Sequence, residues 1–141
     1  MKFYEAERTI QAPAAKVWQV LTDSSSYTSW DSGIAKVEGR TEHDGKLKVY
    51  SSIDPGRAFP VKVALEEGKR MTWTGGMPIP GLFKGVRTFT LSESSGVTQF
   101  KVREEYSGLM LPLIWRSMPD LQPTFDQFAD GLKAQAESTA Q

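Results

Sequence analysis

Arg87 and Glu104 are the residues whose types and positions best suit chemistry in this sequence. They lie on two strand-like segments separated by the turn Ser94-Ser95-Gly96, and pairing of Ser94 with Val97 across it places the two side chains opposite each other. Opposed charges on an inward face are costly unless they pair. Two interpretations are open: a structural ion pair near the strand ends, or a polar anchor in an apolar pocket, the usual design of a small-molecule site.

The register of these two segments rests on their apolar residues. It places Leu91 opposite Phe100 and Phe89 opposite Val102. A one-residue slip would turn this apolar set outward, so the inward face is specified more firmly than the individual partners. If the protein catalyses a reaction, Glu104 is the best candidate for a general acid or base.

The single histidine and the lack of cysteine exclude several other chemistries. His43 lies in the predicted turn Glu42-His43-Asp44-Gly45, where a metal would need ligands from elsewhere and a solvated turn residue is the favoured interpretation. A histidine-based triad could use only His43, and no serine-centred motif accompanies it. With no cysteine, disulfides, thiolate metal sites and cysteine nucleophiles are excluded. We therefore expect no metal and no cofactor.

The segment Met77-Pro-Ile-Pro-Gly-Leu-Phe83 is unusually apolar for a loop between two strands. Prolines stiffen it and glycines allow tight bends. On the rim of a sheet, its side chains could form the lip of a ligand entrance, since exposed apolar patches usually mark binding. The alternative is that they cap the core.

The elements that must position these residues follow from periodicity. Lys2 to Gln11 reads as a strand, Pro13 suits the first turn of a short helix, and Tyr27 to Trp30 reads as a second short helix or turn. A long amphipathic helix begins near Leu111, with a kink or break expected at Pro119 and Pro123, because an interior proline costs about 3 kcal/mol.

Between these helices the apolar residues recur at period two, which predicts six strands of an antiparallel meander, polar outside and apolar inside. The inward positions of this pattern are Ala35, Val37, Leu47, Val49, Ser51, Ile53, Phe59, Val61, Val63, Leu65, Met71, Trp73, Phe89, Leu91, Phe100, Val102 and Tyr106. A strongly curved sheet wrapped around one long helix buries both apolar faces economically. A cavity between helix and sheet is plausible in that arrangement.

Length and charge limit the classes of protein. The 141 residues predict one domain spanning residues 1–141. The 17 Lys+Arg balance the 17 Asp+Glu, which argues against nucleic acid as a partner. The longest apolar runs are too short to span a membrane, and the N-terminus lacks the apolar core of a signal peptide. We therefore expect a cytoplasmic protein, with its oligomeric state left open.

The order of elements resembles the START-like (SRPBCC) superfamily, in particular its bacterial polyketide cyclase/dehydrase and lipid transport branch. The resemblance covers nearly the whole chain and is carried by the segments Ala12–Asp23, Tyr27–Trp30, Glu105–Leu109 and Leu132–Glu137. It implies an α+β helix-grip fold: a curved seven-stranded antiparallel sheet around a long C-terminal helix, with two short helices after strand one. It also implies an internal cavity for a lipid, sterol, polyketide or similar molecule. The glycine-rich loop of plant relatives has no match at Thr41–Gly45, and no catalytic motif of the family is recognisable.

The four tryptophans, Trp18, Trp30, Trp73 and Trp115, could pack in the core or contact a ligand. Core packing is the commoner role for aromatic residues at these periods, and we expect it of Trp18, whereas Trp73 and Trp115 are candidates for contacting a ligand. We expect one cavity of roughly 300–1,000 Å³. The predicted ligand-binding residues are Met71, Trp73, Met77, Ile79, Leu82, Phe83, Arg87, Phe89, Phe100, Val102, Glu104, Tyr106, Trp115, Met118 and Phe125.

Three functions remain open at this point. The favoured one is binding or transport of a small hydrophobic ligand with one polar group, without catalysis. The second is a cyclase, aromatase or dehydratase acting on a polyketide-like substrate in the same cavity. The third is a module that binds a chaperone through its surface. Fold alone does not separate them.

Overall fold

A computed structural model describes residues 2–77, 79 and 81–139 of the chain. Its strands are β1 Lys2–Ile10, β2 Ile34–Gly39, β3 Lys46–Ser51, β4 Phe59–Glu66, β5 Arg70–Gly76, β6 Lys84–Ser94 and β7 Val97–Ser107. Its helices are α1 Ala14–Thr22, a 3₁₀ helix at Ser24–Ser29, α2 Leu111–Ser117 and α3 Gln122–Thr139. The described strands form one antiparallel sheet in the order β1-β7-β6-β5-β4-β3-β2, which confirms the predicted α+β class and element order.

The register of β6 and β7 matches the prediction in full. Ser94 pairs with Val97, Phe89 pairs with Val102 and Arg87 pairs with Glu104. The turn fixes this register because Ser95 and Gly96 both adopt positive φ, which allows a tight reversal.

The proline-rich break between α2 and α3 is also confirmed. The α2 helix ends at Ser117, and Pro119 lies in the connection before α3 begins at Gln122. Pro123 falls in the first turn of α3, where no intrahelical bond needs its missing N–H. The predicted long helix is therefore two helices, and only α3 carries buried apolar residues.

Four local predictions were wrong. Phe59 pairs with the inward-facing Val49 but is 42% exposed, because it is the first residue of β4 at the end of the sheet. Pro13 caps α1 in an extended conformation instead of lying within its first turn. Ala35 is exposed, because an irregularity in pairing between Ile34 and Lys36 shifts the alternation of β2 and turns Ile34 inward. Ile53 lies past the end of β3 and is exposed.

The core lies between the concave face of the sheet and the helices α1 and α3. Its centre is a cluster of aromatic rings in which Phe128 of α3 contacts Tyr27, Trp30, Phe89 and Phe100 at centroid distances of 5.4–6.4 Å. The Tyr27 hydroxyl donates to the carbonyl of Leu21, which ties the 3₁₀ helix to α1. Burial raises the pKa of Tyr27, so this phenol stays protonated.

Candidate functional site

Arg87 and Glu104 form an ion pair on the concave face of the sheet. Arg87 Nε lies 2.6 Å from Glu104 Oε1, and their side chains are 25% and 17% exposed. The guanidinium carbon also lies 4.5 Å from the ring centroid of Phe125, in the first turns of α3, and 5.8 Å from that of Trp73. The pair is therefore held between sheet and helix, yet it is reached by solvent.

The pair belongs to a row of side chains that crosses four strands. Trp73 pairs with Arg87, Arg87 with Glu104, and Glu104 with Tyr4. Because paired residues of an antiparallel sheet project from the same face, these four side chains stand side by side. On one side of the row lie the core residues Phe89 and Val102, and on the other lie Gly85 and Tyr106.

Gly85 leaves space for the Glu104 carboxylate beside β6. A Cβ atom built on Gly85 would lie 2.6 Å from Glu104 Oε2 and 3.5 Å from two ring carbons of Tyr106. The absence of a side chain at this position lets the carboxylate lie close to the sheet surface.

Two side chains of this row, Arg87 and Trp73, have N–H groups without a hydrogen-bond partner among the described residues. Nε makes the one hydrogen bond recorded from the Arg87 guanidinium to the described residues. Trp73 Nε1 is buried and has no hydrogen-bond partner within the described part of the chain. A buried donor without a partner costs about 1–3 kcal/mol, so the Trp73 indole would gain from an acceptor on a ligand.

Tyr106 supplies a phenol next to the Glu104 carboxylate. Burial raises the pKa of Tyr106, and the neighbouring Glu104 charge raises it further. The phenol therefore stays protonated and can donate a hydrogen bond. Its ring contacts Tyr4, Phe83 and Trp115 at centroid distances of 5.7–6.1 Å. Tyr106 therefore connects the loop Met77–Phe83, here called the rim loop, and α2 to the polar row formed by Tyr4, Trp73, Arg87 and Glu104.

The predicted ligand-binding residues divide into two groups by burial. Seven are buried: Met71, Trp73, Phe89, Phe100, Val102, Tyr106 and Phe125. The other eight are partly or fully exposed: Met77, Ile79, Leu82, Phe83, Arg87, Glu104, Trp115 and Met118. Most of the buried group packs in the core, whereas the exposed group lies around the polar row and the end of the sheet.

The rim loop is joined to the start of α2 by backbone hydrogen bonds. Leu109 N donates to Gly81 O at 2.9 Å, and Met110 N donates to Leu82 O at 2.8 Å. Met77 and Ile79 are exposed, so these two side chains do not cap the core as the alternative interpretation required. Pro78 and Pro80 of this loop lie outside the described residues.

A pair of surface depressions lined by described residues lies away from the polar row. One of about 370 Å³ is lined by β1, β6 and β7 and shares only Phe100 with the predicted set. One of about 260 Å³ lies at the start of β3 and β4. The predicted cavity of roughly 300–1,000 Å³ therefore stays a prediction.

His43 is a surface residue, as its turn position predicted. Its Nδ1 accepts a hydrogen bond from Leu65 N at 3.0 Å, and its Nε2 lies 3.7 Å from Asp44 Oδ2. Within residues 2–77, 79 and 81–139, no three His, Asp or Glu side chains are grouped closely enough to hold a metal ion. No helix in the same ranges is long and apolar enough to cross a membrane.

Sequence reasoning missed Gly85, Tyr4 and the unpartnered indole of Trp73. Gly85 could have been found from the predicted register, because it opposes Tyr106 and precedes Arg87 by two residues. The pairing of Tyr4 with Glu104 requires the β1–β7 register, which no turn specifies.

A concave antiparallel sheet that holds a C-terminal helix, with a polar row among aromatic rings, defines a helix-grip protein. The chain belongs to the family described as Polyketide cyclase / dehydrase and lipid transport, whose profile matches residues 2–137. No match was found among curated proteins.

Solved structures show the same fold at low sequence identity. The Zhui aromatase/cyclase from Streptomyces sp. R1128 has a TM-score of 0.79 and 16% identity, over 99% of this chain and 96% of that one. Hypothetical protein jhp0584 from Helicobacter pylori has a TM-score of 0.75 and 16% identity, over 96% and 88%. A point mutant of norcoclaurine synthase from Thalictrum flavum, in complex with a transition-state analogue, has a TM-score of 0.71 and 15% identity, over 99% and 96%.

Proposed function

We propose that this protein binds a small hydrophobic ligand with one polar group, between the concave sheet and the helices α2 and α3. The observation that carries the proposal is the Arg87–Glu104 pair, a 2.6 Å ion pair among aromatic rings that solvent still reaches. A purely structural pair would need no free donors beside it. Here the guanidinium and the indole of Trp73 both have N–H groups without a hydrogen-bond partner among the described residues.

The ligand's polar group is expected to be a hydrogen-bond acceptor. The donors around the row are the guanidinium of Arg87, the indole N–H of Trp73 and the phenol of Tyr106, against one carboxylate. An oxygen atom placed among them would satisfy groups that are otherwise costly to bury. The apolar body of the ligand would then contact the rings of Tyr4, Phe83 and Trp115.

Entry past the rim loop is tested by the variant Ile79→Ser/Leu82→Ser. We expect uptake of an apolar fluorescent probe to weaken by about tenfold, or 1.4 kcal/mol, because two apolar contacts at the entrance are lost. The fold should survive, since Ile79 is exposed and Leu82 only partly buried. Fluorescence titration and thermal melts measure the two effects.

Ile53→Ser is the matched control, because Ile53 is equally apolar and exposed but lies on the turn after β3. It should leave probe affinity unchanged. If the double variant unfolds instead, the loop is part of the core, and if its probe affinity equals that of the wild type, the loop is not the entrance.

Catalysis is the second candidate, favoured by the neighbouring Tyr106 phenol and Glu104 carboxylate. A protonated phenol beside a carboxylate can give and accept a proton at one bound ligand, which general acid–base chemistry requires. Turnover distinguishes the two functions: a carrier returns its ligand unchanged, whereas a cyclase or dehydratase returns a product with altered mass or absorbance.

A further inference from the structure

The large apolar side chains that are exposed within the described residues all lie at one end of the sheet. The antiparallel order brings together the start of β1, the turn after β3, the start of β4, the loop after β5 and the segment after β7. The seven residues are Phe3, Ile53, Phe59, Met77, Ile79, Leu109 and Leu113. The opposite end carries turns of polar and charged residues, such as Glu42–Gly45 and Glu66–Lys69. Single exposed apolar residues are normal on any protein, but their confinement to one end is not.

The most prominent part of this apolar end is built from the rim loop and α2. Leu109 is 83% exposed, Ile79 62% and Leu113 60%. The hydrogen bonds from Leu109 to Gly81 and from Met110 to Leu82 join the two segments, so these side chains belong to one projecting unit. None of the seven residues of α2 is buried, although the helix contains Leu, Ile and Trp.

Four basic residues lie at the same end of the sheet as this projecting unit. Lys2 and Arg57 lie over the rings of Trp115 and Phe59, at 5.4 and 5.2 Å from their centroids. Lys84 directly follows the rim loop and Arg116 lies in the last turn of α2. Like the first two, they take part in no ion pair among the described residues. The carboxylates at this end are Asp31, Asp54, Glu104, Glu105 and Asp120 among the described residues. Glu104 pairs with Arg87 and Glu105 with Arg103, while Asp31 and Asp120 accept hydrogen bonds from Gln127 and from the backbone of Gln122.

We propose that this apolar end docks on an anionic lipid surface. Exposed Leu and Ile side chains on a projecting loop and a short helix suit insertion at the boundary of headgroups and acyl chains. Unpaired Lys and Arg beside them are attracted to anionic headgroups, and a tryptophan at the same level suits the membrane interface. A projecting surface needs no complementary groove, which favours a lipid surface over a second protein.

The docking surface adds to the proposed ligand binding without depending on it. The docking residues are Leu109, Leu113, Lys84 and Arg116, and none of them belongs to the polar row. A ligand-binding failure and a docking failure are therefore separable. Arg87→Met/Glu104→Leu should bind vesicles like the wild type even if it has lost its ligand.

The test is co-sedimentation of the whole chain with phosphatidylcholine vesicles, with and without phosphatidylglycerol. We expect binding to the anionic vesicles that weakens as salt rises. Leu109→Ser/Leu113→Ser should reduce it by about tenfold while melting like the wild type, because both side chains are exposed in the free protein. Lys84→Glu/Arg116→Glu should reduce it by about tenfold or more.

Lys46→Glu/Lys69→Glu is the matched control, because it reverses two exposed bases at the opposite end of the sheet. It should bind vesicles like the wild type. Equal losses in the control and test variants would reduce the effect to net charge and overturn the proposal. Concentration-dependent self-association in analytical ultracentrifugation, without vesicle binding, would also overturn it and identify a second copy of the chain as the occupant.

Discussion

Arg87→Met alone should destabilise the fold by about 2 kcal/mol, whereas Arg87→Met/Glu104→Leu should recover most of that loss. The single change leaves the Glu104 carboxylate, 17% exposed, without its 2.6 Å partner beside aromatic rings. A hydrogen bond to a charged group is worth about 1.5–3 kcal/mol, and partial exposure reduces the penalty of the orphaned charge. Replacing both partners with apolar groups removes that penalty. Denaturant melts of the wild type, both single variants and the double variant give the coupling free energy.

The exposed pair Arg70–Glu66 is the matched control. Its atoms lie 2.7 Å apart, but its side chains are about half exposed, so Arg70→Met should cost no more than about 0.5 kcal/mol. Strict additivity of the two single changes at Arg87 and Glu104 would show that the residues do not interact. An unchanged ligand preference in the stable double variant would reduce the pair to a structural role.

Gly131→Ala should destabilise the protein by about 1–3 kcal/mol, although Ala is the better helix former. A Cβ atom at Gly131 would lie 2.0 Å from Asp31 O and 3.0 Å from Trp30 Cε3, so α3 or the segment after the 3₁₀ helix must move. This contact sets how closely α3 approaches the segment after the 3₁₀ helix, and α3 also carries Phe125, which lies against Arg87. Thermal melts should show a lower midpoint.

Ala134→Gly is the control that measures the helix propensity difference between Ala and Gly in α3. Ala134 is exposed on α3, so its replacement should cost about the 0.8–1 kcal/mol that separates Gly from Ala in a helix interior. Without a close approach, Gly131→Ala would stabilise the protein by a similar amount. A raised melting midpoint for Gly131→Ala would therefore contradict the tight contact with Asp31.

The sequence predicted the fold well where a local signal specified it. Proline positions located the break between α2 and α3, and a two-residue turn fixed the register of β6 and β7 down to Arg87 opposite Glu104. The prediction for Ala35 was wrong because an irregularity in strand pairing shifts the alternation of β2, and the prediction for Ile53 was wrong because β3 ends before it. Neither change leaves a mark on the period-two pattern of residue types.

The site could be predicted only in part, because it depends on distances between segments. The sequence places Trp73 on the inward face, but only coordinates show that its indole N–H lacks a partner. The Glu104 carboxylate can lie close to the sheet only because Gly85, on the neighbouring strand, has no side chain. The apolar end of the sheet was available from the meander order, yet only measured exposure separates Leu109 and Leu113 from residues of the core.

Native mass spectrometry of the freshly purified protein, followed by extraction of whatever is bound, tests the central claim most directly. We expect a noncovalent adduct whose extracted molecule is largely hydrocarbon and carries an oxygen acceptor. The adduct should be reduced in Arg87→Met/Glu104→Leu. A protein that stays at its apo mass after incubation with a library of hydrophobic compounds bearing ketone, phenol or carboxyl groups would contradict the proposed binding function.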